Sequence, residues 1–524
     1  MKLSMKKIFY NGDILTLEKN NYVQAICIED GIIKKCGSKD EIMSEADSNT
    51  EIINLEGKCL MPAFIDAHSH FSAVANSFLQ VDLSKCIDFN DIKEEIRKYI
   101  NKNNIKKGEW IRANGYDNNY LIEKKHPTKQ LLDNEFKDYP IVLQHVSGHI
   151  GVFNEKALEL LGVSRNTESS TGGRIEYSTG IMEENDYVEY IKKIGMPNIE
   201  DLTNGYKLAQ EKYLSYGITT FQEGMMTKEL IPIYKYLVEN NIINLDLIAY
   251  LGVNDKEEIL KVFEDHKRKY KNNFKIGGYK IFLDGSPQGR TAWMRTPYID
   301  DINYYGYSTM EDNSVYEAIK MAMDDDLQIL AHCNGDMAAE QYIEAIEKIG
   351  KDVKKIRPVI IHAQLIGIDQ LEKVKEFGLI PSYFVAHTYY WGDIHIENFG
   401  LERARKISPA KSTLEKNILF TFHQDSPIIE PNMFETIMCA VERKTKKDIV
   451  LGEEGKIDVL NAIKAVTINA AYQYFEENEK GSIKEGKKAD LILIDKNPLK
   501  IKKEEIKNIK ILETMKNGKV LYKA

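Results

Sequence analysis

MPAFIDAHSHF, Met61 to Phe71, carries an apolar run, Ala63-Phe64-Ile65, into Asp66 and then His68 and His70. A period of two puts both imidazoles on one face as the chain leaves a buried strand. Two neutral imidazoles aimed at one point are a donor set that a divalent cation takes. An isolated His-x-His is equally at home in a polar turn, so the surrounding chain has to decide.

Downstream, apolar strand candidates alternate with amphipathic helices, the pattern of parallel βα units closing into a barrel. The candidates are 62–67, 141–145, 217–221, 245–251, 278–283, 328–332, 358–362, 379–384 and 418–422. These are more than a barrel of eight needs, so at least one belongs to an excursion. The stretch from about 72 to 200, with DIKEEIRKYINKNN and SRNTESSTGGRIEYSTG, is too long for an ordinary βα loop. The two chain ends share a different texture, short strands punctuated by Asn-Gly, Asp-Gly and Glu-Gly, in 6–60 and again after about 475. That predicts one small β domain, 1–60 plus 475–524, with the barrel, 61–474, set between its halves and an insertion at about 72–200.

The 524 residues are 43% hydrophobic, enough for a sizeable core, and a net charge of -9 argues against nucleic acid as a partner. Six cysteines at 27, 36, 59, 86, 333 and 439 show no CxxC spacing and read as reduced, buried thiols of a cytoplasmic protein. No signal peptide and no membrane span is expected. A homodimer is the base expectation.

Further polar residues close or follow strand candidates: Lys280 in IGGYKIFLDGS, His332 in LQILAHCNGD, His362 in RPVIIHAQL and Asp425 in ILFTFHQDSP. Strand C-termini of a barrel converge on one mouth, where catalytic groups gather. Lys280 is an ammonium among apolar neighbours, costly unless neutralised or paired. It either pairs with Asp284 or, as a neutral amine, captures carbon dioxide to give a carbamate anion able to bridge two metals.

The motifs PAFIDAHSHF, GGYKIFLDGSPQGRTA, AHCNGD, IHAQL, FHQDSP, TINAAY and KGSIKEGKKADLILID, in this order, resemble the amidohydrolase superfamily and more closely its YtcJ-like branch. The resemblance implies a distorted (β/α)8 TIM barrel with a β-sandwich domain built from the N- and C-terminal segments, and one or two divalent metal ions. By position it makes His68 and His70 ligands of one metal, His332 and His362 ligands of the other, Lys280 the carbamylated bridge, and Asp425 the last ligand and proton shuttle. One departure stands out. Gly-Ser usually precedes the aspartate, and here it is His423-Gln424; His423 is either a further polar group at the mouth or, the preferred expectation, points away from it.

Around the mouth, His149 in LQHVSGHIGVFN resembles a family position over the substrate, where it would hydrogen-bond a carbonyl or oxyanion. His145 reads as structural. Asp336 either orients His332 or caps a helix. Glu223 is a site candidate or a cap. Phe71, Trp293, Tyr389 and Trp391 favour a partly apolar substrate, and Arg290 meets either an anionic substrate group or an acidic neighbour.

The reading is hydrolysis of an amide-type C–N bond in a small molecule by metal-activated water, zinc suiting the ligand set best. The alternatives are a single-metal hydrolytic deaminase of a ring substrate, with no carbamate, and a silent binding protein on the same fold.

Overall fold

The computed structural model describes residues 6–118, 120–146, 150–171, 173–194 and 197–524. Two compact units emerge, one of Met1–Ser72 with Ala209–Ala524 and one of Ala73–Leu208.

The first unit holds an eight-stranded sheet in which each strand lies beside the next one in chain order. We label them β1 (Phe64–Ile65), β2 (Ile218–Met226), β3 (Asp246–Gly252), β4 (Phe274–Phe282), β5 (Gln328–Cys333), β6 (Val359–His362), β7 (Ile380–Tyr383) and β8 (Thr421–Phe422). Every neighbouring pair is parallel. Helices stand between most successive strands, among them Ile231–Glu239, Lys256–Phe263, Asp312–Asp324, Asp336–Ile349 and Leu371–Phe377. The fold is therefore a TIM-barrel-like α/β architecture. Past the strand ends, the amide of Asp425 donates to the His68 carbonyl (3.2 Å) and that of His70 to the Ser426 carbonyl (2.9 Å), so the segments leaving β8 and β1 meet.

Strands buried on both faces read as continuous apolar runs, and β3 is buried at every position. Ile65, Ile248, Leu330, Val359, Ile361 and Ile380 pack together with Ala470, Ala471 and Tyr474. Each such side chain contributes about 1.5–3 kcal/mol on leaving water. The strand candidate 141–145 pairs elsewhere. It lies in the six-stranded sheet of the second unit, parallel to Ile111–Tyr116 and antiparallel to Ile150–Phe153.

A second eight-stranded sheet in the first unit joins strands from both chain ends. Leu491–Ile494 runs antiparallel to Cys59–Pro62, the strand that leads directly into β1. Near the starts of β3 and β4, buried charges tie this C-terminal segment to the barrel. Lys275 pairs with Glu476, Lys480 with Asp246 and with Glu476 (2.9 Å), and Lys516 with Asp246 (2.6 Å). Burial pushes the Glu476 carboxyl up, but Lys480 and Lys275 outweigh it and hold the group at about 2. Asp246 is likewise raised by burial and pulled further down by Lys480 and Lys516. Among the described residues no helix is long and apolar enough to cross a membrane.

Candidate active site

The site is assembled at the C-terminal ends of the barrel strands, and its first support is β2. Gln222 donates from Nε2 to the Ala67 carbonyl (2.6 Å), which turns its Oε1 toward Nδ1 of His68 (2.9 Å). An amide oxygen only accepts, so His68 carries its proton on Nδ1 and presents a lone pair from Nε2. Glu223 is buried and accepts from the Ser72 amide (2.8 Å) and the Tyr234 hydroxyl (2.5 Å), anchoring the turn after the two histidines. Gly224 donates to the Ser69 carbonyl (2.8 Å), and a Cβ there would lie 2.7 Å from Cε1 of His68. Glycine is thus required for the His68 ring to sit where Gln222 holds it. Gly224→Ala is expected to lower turnover about tenfold to a hundredfold by displacing that ring, with circular dichroism unchanged. Wild-type kcat on a substrate returned by the screen described below would show that the ring tolerates the shift.

The six side chains expected at one mouth gather there. Asp425 Oδ1 lies 3.5 Å from His68 Nε2 and 3.4 Å from His70 Nε2, and its Oδ2 lies 3.9 Å from His362 Nε2. His332 Nδ1 is 3.1 Å from His362 Nε2, and Lys280 Nζ is 3.1 Å from His68 Nε2. Donor atoms of His68, His362 and Asp425 all fall within 4.8 Å of one another. Two of these residues hold left-handed backbones, His362 at φ 72° and Asp425 at φ 56°, a conformation disfavoured for side-chain-bearing residues and concentrated at functional sites.

Lys280 is not paired with Asp284; its amine faces His68, and burial lowers it to about 7. Asp284 instead accepts backbone N–H groups from Trp293 (3.0 Å), Asn334 (2.9 Å) and Gly335 (2.7 Å), clamping the loops that follow β4 and β5. Burial raises that carboxyl to about 7, against the pull of these amides. Within the clamp His332 Nε2 meets the Gly285 carbonyl (3.1 Å), so its proton is on Nε2 and its Nδ1 lone pair faces the cluster. Burial, with Lys280 nearby, lowers His332 to about 4. Asp425 is pushed up by burial, but His70, His362 and His68 outweigh this and keep it a carboxylate.

Several expectations need correction. His423 does not point away: it is fully buried, its Nε2 is 3.2 Å from His362 Nδ1 and its ring centre 5.3 Å from that of His68. Phe71 packs in the core against Phe221 and Tyr213 with no exposed surface, so it offers nothing to a ligand. Arg290 forms a two-point pair with Asp300 (2.7 Å each), the acidic-neighbour alternative. Asp336 accepts from the Arg295 amide (2.8 Å) at the start of a helix, and it is Asp284 that stands beside His332, at 3.6 Å. Glu223 anchors the His-x-His turn and, through the Ser72 amide, caps the first turn of the helix Phe71–Ser77. Trp293 sits in the Asp284 clamp by its backbone. Trp391 packs on Phe384 and His387, whose own rings lean on His362 and His423 or on each other, and Tyr389 stacks edge-on to Tyr390. In the second unit His145 packs edge-on against Tyr116 and His126. His149 lies outside the described residues.

Sequence reading missed Gln222, Gly224, the clamping role of Asp284 and the buried pair His387 and His395 (Nδ1 to Nε2, 3.1 Å). Gln222 and Gly224 flank Glu223, so the strand end itself was the available signal.

This architecture coincides with a known family. The amidohydrolase family model matches residues 51–522, and the chain belongs to that family. It is accordingly a hydrolase acting on carbon–nitrogen bonds. YtcJ of Bacillus subtilis, whose name carries an amidohydrolase assignment, is 27% identical over 99% of both chains. An N-substituted formamide deformylase of Arthrobacter pascens is 24% identical, covering 98% of this chain and 97% of its own. Among solved structures, an uncharacterized metal-dependent hydrolase from Pyrococcus horikoshii superposes with a TM-score of 0.80 at 26% identity, covering 95% of this chain and 99% of that one.

Proposed function

We propose that the protein hydrolyses an amide-type C–N bond of a small, partly apolar substrate with divalent metal held by His68, His70, Lys280, His332, His362 and Asp425. The observation that carries this is the convergence of electron-pair donors. His68 Nε2, His332 Nδ1 and the Asp425 carboxylate, whose Oδ1 is buried without a hydrogen-bond partner, belong to one cluster of donor atoms. Neutral imidazole nitrogens and a carboxylate gathered out of water are a donor set that fits a divalent ion, and imidazole with carboxylate suits zinc. Such an ion, when bound, polarises a carbonyl and brings the acidity of water toward neutrality.

Lys280, lowered to about 7 by burial, is substantially neutral at physiological pH. Its nitrogen attacks the carbon of carbon dioxide, one proton leaves to solvent, and the resulting carbamate adds a negative charge between the imidazoles. Asp425 takes the proton of the attacking water as the new C–O bond forms, then delivers it to the departing nitrogen as the C–N bond breaks. Phe384 and Trp391 form an apolar wall beside the histidines that limits competing solvent. We also assign 1–60 and 475–524 to one β-sandwich domain around a (β/α)8 barrel, 61–474, with the insertion at about 72–200; pairing of Leu491–Ile494 with Cys59–Pro62 supports it. Six free cysteines support a reducing, cytoplasmic setting.

The test is a screen of N-formyl, N-acyl and cyclic amides, with amine and ammonia measured separately, on protein whose metal content has been determined. Amine release that a chelator abolishes and zinc restores is the expected result. Ammonia release from ring substrates with one ion per chain would make the deaminase reading correct instead, and full turnover without metal would overturn both.

A further inference from the structure

His423 directly follows β8, and the structure gives it a definite set of partners. It leaves β8 fully buried, its amide donating to the Tyr383 carbonyl (3.2 Å), with its ring turned inward. Nε2 lies 3.2 Å from His362 Nδ1, and Nδ1 lies 2.8 Å from the hydroxyl of Ser382, itself buried in β7. Behind this ring Phe384 closes the space, with centroids 5.4 Å apart.

A neutral imidazole has one N–H and one lone pair. If His362 gives its Nε2 lone pair to an ion, its proton must be on Nδ1, and that proton then needs an acceptor out of reach of water. Among the described residues the atom at hydrogen-bond distance from His362 Nδ1 is His423 Nε2. Accepting there obliges His423 to carry its own proton on Nδ1, where the Ser382 oxygen accepts in turn. The serine hydroxyl is what makes the arrangement workable in both directions, because it can also donate. Without an ion the chain can run the opposite way, from Ser382 to His423 to His362, with His362 Nε2–H then donating to His332 Nδ1 at 3.1 Å. Both states leave no buried N–H without a partner.

We propose that His423 and Ser382 are positioning residues for the metal centre: a serine–histidine arm that fixes His362 in the tautomer whose Nε2 lone pair faces the ion. The arm does for His362 what Gln222 does for His68, with a group that can reverse where the amide cannot. The proposal rests on the metal-site reading above and concerns the residues that support a ligand rather than the ligands.

The experiment is zinc binding to chelator-stripped protein, read by competition with a chromogenic chelator, alongside thermal unfolding of the stripped forms. His423→Phe keeps ring volume and removes the acceptor; zinc affinity is expected to fall about 10–100-fold. His423→Gln places an amide oxygen near the Nε2 position, keeps an acceptor for His362 Nδ1–H, and is expected to stay within about threefold of wild type. Stripped His423→Phe and His423→Gln should unfold alike, so that the difference between them reports the accepting atom rather than packing. If His423→Phe does not fold, Ser382→Ala is read in its place, a severalfold weaker affinity supporting the arm and an unchanged one overturning it. Wild-type affinity in His423→Phe, or equal loss in His423→Gln, overturns the inference alone. Wild-type protein that takes up no divalent ion overturns the metal-site reading and the inference with it.

Discussion

Asp425→Asn leaves a folded protein whose kcat falls about 10²–10⁴-fold, the range a positioned acid–base group supplies. The substitution preserves size and one accepting oxygen. It removes the negative charge that His68, His70 and His362 surround, and with it the capacity to take a proton from water and return it to nitrogen. The measurement is kcat with metal content determined on the same sample. A variant that retains metal and more than a small fraction of wild-type turnover would assign the proton transfers to another group.

Lys280→Ala is expected to cost at least about 100-fold in turnover, since loss of a ligand exceeds the 10–100-fold typical of residues that merely support one. Here the carbamate reading makes a sharper statement. Removing the side chain opens space in a buried pocket beside His68, and a short carboxylate has the charge and the paired oxygens of the missing carbamate. Formate, acetate or propionate added to Lys280→Ala should therefore restore part of the activity, while leaving wild type unaffected. A lysine acting as an ammonium would instead be rescued by small amines, and that outcome would remove the carbamate from the mechanism.

What the sequence revealed and what it hid divide along physical lines. The strands of the barrel were legible because parallel strands buried on both faces carry near-continuous apolar runs, as in Leu247 to Leu251 of β3 and Val359 to Ile361 of β6. His68, His332 and His362 follow or end such strands, so their gathering followed from barrel geometry alone. The placement of 141–145 outside the barrel sheet was signalled by its position inside the overlong stretch of about 72–200 and not by its own residues, IVLQH, which open with the same apolar run as a barrel strand. Pairing partners decide it. The errors at the site share a cause. His423 and Phe71 are each one residue from a break in strand or helix geometry, where alternation no longer predicts which way a side chain turns, and neighbours in space settle the matter. Asp284 looked like a partner for Lys280 because it is near in sequence, yet three backbone amides compete for it and win. Gln222 gave no signal because a glutamine in an apolar run is unremarkable until the carbonyl of Ala67 is known to sit beside it.

The buried charges beneath β3 and β4 bear on how far this chain can be shortened. A polypeptide ended anywhere before Glu476 would keep Asp246 and Lys275 walled inside with their counter-ions gone. Each stranded ion would cost about 3–5 kcal/mol, against a total margin of about 5–15 kcal/mol for an ordinary domain. The last fifty or so residues are thus no detachable appendage, and the barrel that carries the histidine cluster stands or unfolds together with its tail.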